Sequence, residues 1–368
     1  MLILYLGILL LVVTLISKWK LSPELGFAVI FIIMAFQSNV QGDFITYKEF
    51  FNSLSSYTEE DEPLWIFLNK VFHPFGFFVF NLLLVTFETL VLLKLTKKYA
   101  DRSYIGLAAV LFLFTNSMLI IHMKALRQVL TIEMLLIPFL LPKKQSWRQD
   151  VLTFALFVVA YFIHNASAVM LIPLVLLFLD NHYNLFEDKK VSSKKSYLLP
   201  FILTGLFLII YSLKVTLLSD NLNVLAIALQ DEDFRLGSYA TMRETEGKIF
   251  EVSWLIVLYD AIIVLLSAWY YNNTSGRLRI FAIMTILASV LDVLFFGMGS
   301  MMRIGYYFSI VNIVVLPNIT SLISKKYDRI LALIFIVFLI GYAMKTSYPF
   351  FTDPTNGRFG AYKFLFMN

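Results

Sequence analysis

Residues 74–102 read PFGFFVFNLLLVTFETLVLLKLTKKYADR, an apolar run over 74–93 closed by Lys94, Lys97, Lys98 and Arg102. An α-helix rises about 1.5 Å per residue, so about 20 apolar residues cross the hydrocarbon core of a bilayer. The same alternation of apolar run and short polar break continues through the 368 residues, of which 59% are hydrophobic and only 15% charged. Few segments carry the polar stripe that a large soluble helical protein requires, so the chain reads as an all-α polytopic membrane protein. Apolar segments at about 2–17, 25–40, 74–93, 103–120, 126–141, 149–163, 166–179, 197–218, 252–271, 280–296, 303–320 and 329–345 give about twelve transmembrane helices, within a range of about ten to fourteen. Several are short for an untilted crossing, which local thinning of the bilayer accommodates. Many polar positions inside the runs are Ser and Thr, whose hydroxyls can bond the helix's own carbonyls. Residues 1–368 are therefore expected to form a single integral membrane domain. The first seventeen lack the basic start and small-residue cleavage pattern of a signal peptide and are expected to stay as the first helix.

The breaks set the orientation. Every second one is basic: Lys18/Lys20, Lys94/Lys97/Lys98/Arg102, Lys143/Lys144/Arg148, Lys189/Lys190/Lys194/Lys195, Arg277/Arg279 and Lys325/Lys326/Arg329. By the positive-inside tendency these face the cytoplasm, and with twelve spans both termini lie outside. The two long breaks, 41–73 and 219–251, fall on the other side and are rich in Asp and Glu. Long extracytoplasmic loops suit a surface that must hold a large polar substrate.

Composition also excludes several function classes. The net charge of +5 is divided among short loops, which argues against nucleic acid as a partner. There is no cysteine, hence no disulfide and no thiolate nucleophile. The four histidines have no ligand-type spacing, so no metal site of protein ligands is expected. No Gly-x-x-x-x-Gly-Lys-Ser/Thr loop is present to bind a nucleotide, and no cofactor is indicated.

Charged residues at the outer ends of the apolar runs are the candidates for function, because charge at membrane depth is costly. Arg127 opens the fifth span in His122-Met-Lys-Ala-Leu-Arg-Gln, with Lys124 expected on roughly the same helix face and Gln128 adjoining. A helix N-terminus with cations suits phosphate oxygens, and snorkelling to lipid headgroups is the competing account. His164, in Tyr-Phe-Ile-His-Asn-Ala-Ser, can accept a proton from a sugar hydroxyl, with Asn165 or Ser167 orienting it or bonding the sugar. A structural histidine bonding a carbonyl looks the same in sequence. Arg303 follows a glycine-rich stretch and precedes Tyr306 and Tyr307, which suit sugar contact or an aromatic belt. Arg235 and Tyr239, four apart, lie in the second long loop with Arg243 nearby, where a guanidinium can grip phosphate bidentately. Asp43, four residues before Tyr47, is an auxiliary base or orients an arginine, while Glu62 before Pro63 is expected to fix the loop or orient a neighbour. The acids within or near spans, Glu88, Glu133, Asp260 and Asp292, are explained by an ion path or by pairing with internal arginines.

The ordered patterns Asp43-Phe-Ile-Thr-Tyr47, Glu62-Pro63-Leu-Trp, Leu126-Arg127-Gln128, Phe162-Ile-His164-Asn-Ala-Ser167, Arg235-Leu-Gly-Ser-Tyr239 and Arg303/Tyr306/Tyr307 cover most of the chain. Together they resemble the EpsG-type branch of Wzy-like exopolysaccharide and O-antigen repeat-unit polymerases. The resemblance implies a bacterial plasma-membrane glycosyltransferase with a metal-independent, GT-C-like fold, acting on oligosaccharides carried by polyprenyl pyrophosphate. It implies a flippase and a chain-length regulator as partners, besides membrane lipids. The growing chain is then the donor, and an incoming lipid-linked unit supplies the attacking hydroxyl. Arg127, Arg303, Arg235 and Lys124 would bind pyrophosphate, and His164, with Asp43 as rival, would take the proton. Tyr47, Gln128, Asn165, Ser167, Tyr239, Arg243, Tyr306 and Tyr307 would contact substrate, and Glu62 would orient. An O-antigen ligase-like transferase shares this donor, and a flippase or ion-coupled transporter is the non-enzymatic alternative.

Overall fold

The computed structural model describes residues 22–37, 43–54, 62–143, 146–187, 198–213, 253–295 and 303–352. These are helical throughout: α1 Ser22–Ala35, α2 Asp43–Ser53, α3 Pro63–Phe72, α4 Phe77–Tyr99, α5 Gly106–Phe114, α6 Asn116–Lys124, α7 Leu126–Leu140, α8 Trp147–Ile163, α9 Leu171–Tyr183, α10 Leu198–Leu213, α11 Trp254–Asn272, α12 Arg277–Phe295, α13 Arg303–Ser309, α14 Asn312–Lys326 and α15 Arg329–Thr352. A short 3₁₀ turn, His73–Phe75, precedes α4, and a longer one, Asn165–Met170, joins α8 to α9. From 25–40 onward the described part of each expected apolar segment is largely helix; the first, 2–17, lies outside the described residues. Among the described residues five helices are long and apolar enough to cross a membrane, or up to seven when each of two bent pairs counts as one span. The segment expected at 103–120 is not one helix, because Thr115 takes extended backbone and separates α5 from α6. The connection 41–73 is not bare loop either, since it folds into α2 and α3.

The chain divides into two compact units, residues 1–185 with 310–368, and 186–309. In the first, α4 is the long apolar run of the opening sequence, entered through Gly76 at φ 82, a backbone region that favours glycine. Its Thr86 and Thr89 hydroxyls donate to the carbonyls of Leu82 and Val85, at 2.6 and 2.7 Å, as expected of polar residues in a span. The centre of this unit is α5, all nine residues of which are buried against α1, α14 and α15. Gly106, Ala108 and Ala109 let those helices approach closely, which drives association where lipid weakens the hydrophobic effect. On α8 and α15 the large apolar residues Phe154, Phe162, Ile334 and Val337 are exposed, giving faces suited to lipid.

The basic breaks of this unit tie helix ends together. Lys98 donates to the carbonyls of Phe139, Leu140 and Leu141 at the C-terminus of α7, where unsatisfied carbonyls and the helix dipole favour a cation. Lys325 pairs with Asp101 at 2.6 Å and Lys143 with Asp180 at 3.2 Å. Asp101 is partly buried, yet its bonds to Lys325, Ser103 and Ser321 outweigh that and hold its carboxyl down at about 2.

In the second unit Phe207 of α10, Val257 and Val264 of α11 and Val293 of α12 form a buried cluster. Arg279 donates to the carbonyls of Tyr271, Thr274 and Phe186, so this basic break also caps a helix end. Asp260 is buried and bonded to Ser289, with Asp292 close enough for the two charges to interact.

Candidate active site

At the start of α3 Glu62 has left-handed backbone, φ 59 and ψ 68. A non-glycine residue there carries strain of about 1–3 kcal/mol, so its surroundings must hold it. Pro63 contributes by barring right-handed helical backbone from the residue before it. The Glu62 carbonyl accepts from the amides of Trp65 and Ile66, which starts the helix. Below, aromatic rings fasten α2 and α3 to the first turns of α4. Tyr47 meets Trp65 edge-on at 5.6 Å, Trp65 meets Phe80 at 5.5 Å, and Phe51 stacks on Phe80 at 5.4 Å. Pairs of this kind contribute about 0.5–1.5 kcal/mol each beyond the area they bury.

This platform aims the Glu62 carboxylate between two helix ends. One oxygen accepts from the Arg127 guanidinium, and the other meets His164 Nδ1 at 2.5 Å. Arg127 stands in the first turn of α7, whose initial amides have no carbonyl a turn earlier to bond. Its Nε donates to the Tyr47 hydroxyl at 3.1 Å, and the guanidinium lies 5.3 Å from the centre of the Tyr47 ring. His164 ends α8, its amide bonded to the Ala160 carbonyl, and its own carbonyl accepts from Ser167. The side chains of Glu62, His164 and Arg127 are 9%, 22% and 29% exposed, so the acid is sheltered while both its partners reach the surface. Burial disfavours the Glu62 charge, but the hydrogen bond and charge of His164, the charge of Arg127 and the Asn165 amide overcome it and hold the carboxyl below its ordinary value.

Glu62, set down by sequence as a residue that fixes or orients, is the hub of the constellation. It brings together Tyr47, Arg127, His164 and Asn165, four of the expected site residues. Asp43 opens α2 one turn before Tyr47, and Gln128 follows Arg127 but is buried. Ser167 is fully buried in the 3₁₀ turn, where its hydroxyl finds no partner among the described residues. Lys124 does not share a helix with Arg127: it ends α6, and Ala125, at φ −97 and ψ 61, breaks the chain before α7. Arg303, Tyr306 and Tyr307 belong to the other unit, on α13, with Tyr307 fully buried. Arg235, Tyr239 and Arg243 lie outside the described residues. Sequence reading missed the role of Trp65, although it stands within Glu62-Pro63-Leu-Trp, and the partner of Glu133, which is His122 rather than an arginine.

The family model for EpsG matches residues 25–364. The chain belongs to the EpsG family. That match covers every residue of the constellation and nearly the whole chain. For an EpsG-family protein the role is that of a polysaccharide-polymerase-like, glycosyltransferase-type membrane protein. No curated protein and no solved structure matches the chain.

Proposed function

We propose that the Glu62 constellation is the transfer site of a repeat-unit polymerase whose donor is a glycan on polyprenyl pyrophosphate. The observation that carries this reading is one carboxylate joined at once to a histidine and to an arginine at a helix N-terminus. Glu62 accepts the Nδ1 hydrogen of His164, leaving the Nε2 lone pair to take the proton of an acceptor hydroxyl. The hydroxyl oxygen bonds to the anomeric carbon of the growing chain, and the bond from that carbon to pyrophosphate breaks. The leaving pyrophosphate takes the bonding pair, and Arg127 with the first amides of α7 meets the charge as it develops. Direct attack inverts the anomeric configuration.

In this reading the constellation faces the outside of a bacterial plasma membrane, twelve spans place both termini there, and the architecture is GT-C-like. Arg303 and Arg235 are further pyrophosphate candidates. A flippase delivers the lipid-linked units and a chain-length regulator limits the product. The test is purified protein in vesicles supplied with a single lipid-linked repeat unit. Wild type is expected to give a ladder of longer glycans, and Arg127→Ala and His164→Ala to give none while inserting normally. Full ladders from both variants refute the site, and transfer confined to a different acceptor points to a ligase.

A further inference from the structure

His122, near the end of α6, is 2% exposed, and Glu133, on α7, is fully buried. His122 Nδ1 lies 2.8 Å from the Met118 carbonyl, and Nε2 lies 3.2 Å from Glu133 Oε1. A backbone carbonyl only accepts, so Nδ1 carries the hydrogen of the first bond. The neutral ring then offers only a lone pair at Nε2, and the second contact needs a proton between nitrogen and oxygen. Nothing in the surroundings favours separated charges. Phe112 packs edge-on against the imidazole at 4.8 Å, and Val129, Ile132 and Leu136 around Glu133 are buried to 1% exposure or less. From α4, Glu88 adds a fully buried carboxyl close enough to feel Glu133 electrostatically, and among the described residues neither its oxygens nor Glu133 Oε2 has a partner. Among the described residues, two ionised carboxylates here would have no hydrogen-bonded cation beside them.

We propose that one proton, held between Glu133 Oε1 and His122 Nε2, staples α6 to α7 across the break at Ala125 and so sets the position of Arg127. Residues 122 and 133 flank that break, and Arg127 stands two residues beyond it. His122 and Glu133 are thus positioning residues for the pyrophosphate grip, an inference that rests on the polymerase reading for its functional part alone.

Two substitutions separate the staple from mere packing. In Glu133→Gln the amide donates to Nε2 in place of the shared proton, whereas Glu133→Leu fills the space with no donor. The lipid-linked donor should be bound by Glu133→Gln as by wild type, while Glu133→Leu raises its KM roughly tenfold or more through displacement of Arg127. Infrared spectra of the purified protein in lipid discs should show a deuterium-sensitive carboxylic-acid stretch that Glu133→Gln removes and His122→Phe moves to higher frequency. Because that spectrum needs no substrate, the band in a wild type that makes no glycan would uphold the staple and refute the polymerase. A wild type that makes glycan with no such band, or a Glu133→Leu variant with unchanged KM, would overturn the staple.

Discussion

Glu62 carries the strain, the two charged partners and the shifted acidity of the site, so the sharpest single-residue expectations attach to it. Replacing it with Gln keeps the shape but loses the charge that holds the Nδ1 hydrogen of His164. Glycan synthesis by Glu62→Gln in the vesicle assay should fall by roughly 10²–10⁴-fold, with membrane insertion unchanged. The acidity gives a second expectation with a definite sign. Its folded carboxyl lies below the ordinary 4.5, so its ionised form stabilises the fold fully above that pH. The contribution disappears as pH falls through the lower, folded value. The Tm difference between wild type and Glu62→Gln should therefore shrink as pH falls below about 4.5. A difference that stays undiminished in stronger acid would contradict the assignment. At this scale sequence reading found the charges but not their union. Arg127 and His164 stand out because each ends an apolar run, whereas Glu62 lies 65 and 102 positions from them and only folding brings the three together.

Among the helices, the position of a break matters as much as the length of an apolar run. The helices themselves were legible, because long apolar runs bounded by basic residues leave the chain few other structures in lipid. A break before Leu126 was legible too, since the apolar segments 103–120 and 126–141 leave one, but its placement between Lys124 and Arg127 was not, because alanine favours helix and no glycine or proline marks Ala125. The break separates Lys124 from Arg127 and starts a new helix beside the arginine. The pairing of Glu133 with His122, eleven residues away, was hidden by the same bend. At the opposite end of α7, Lys98 closes the helix by donating to three successive carbonyls. Lys98→Met should destabilise the detergent-solubilised protein by about 0.5–1 kcal/mol, read as a Tm lowered by a few degrees. An unchanged Tm would mean that water serves those carbonyls equally well.

At the scale of the whole molecule, the first unit gathers the basic breaks around Lys98, Lys143 and Lys325 at one set of helix ends and the Glu62 constellation at the other. This follows from α7, which begins beside Arg127 and ends under Lys98 after 15 residues, about 22 Å of rise. Alternation of basic and acidic breaks along the sequence anticipated that separation, and in the proposed reading the basic ends face the cytoplasm. Since the natural chain has no cysteine, single substitutions report the sides directly. In intact cells a membrane-impermeant maleimide should label Ser53→Cys and should reach Lys326→Cys only after permeabilisation. The reverse pattern would invert the topology. The most direct test of the central claim is extension of a purified lipid-linked repeat unit by wild type, Arg127→Ala, Glu62→Gln and His164→Ala in vesicles of one composition. The account predicts a product ladder from wild type alone, with the three variants reduced by roughly 10² or more; ladders of equal length and yield from all four proteins would contradict it.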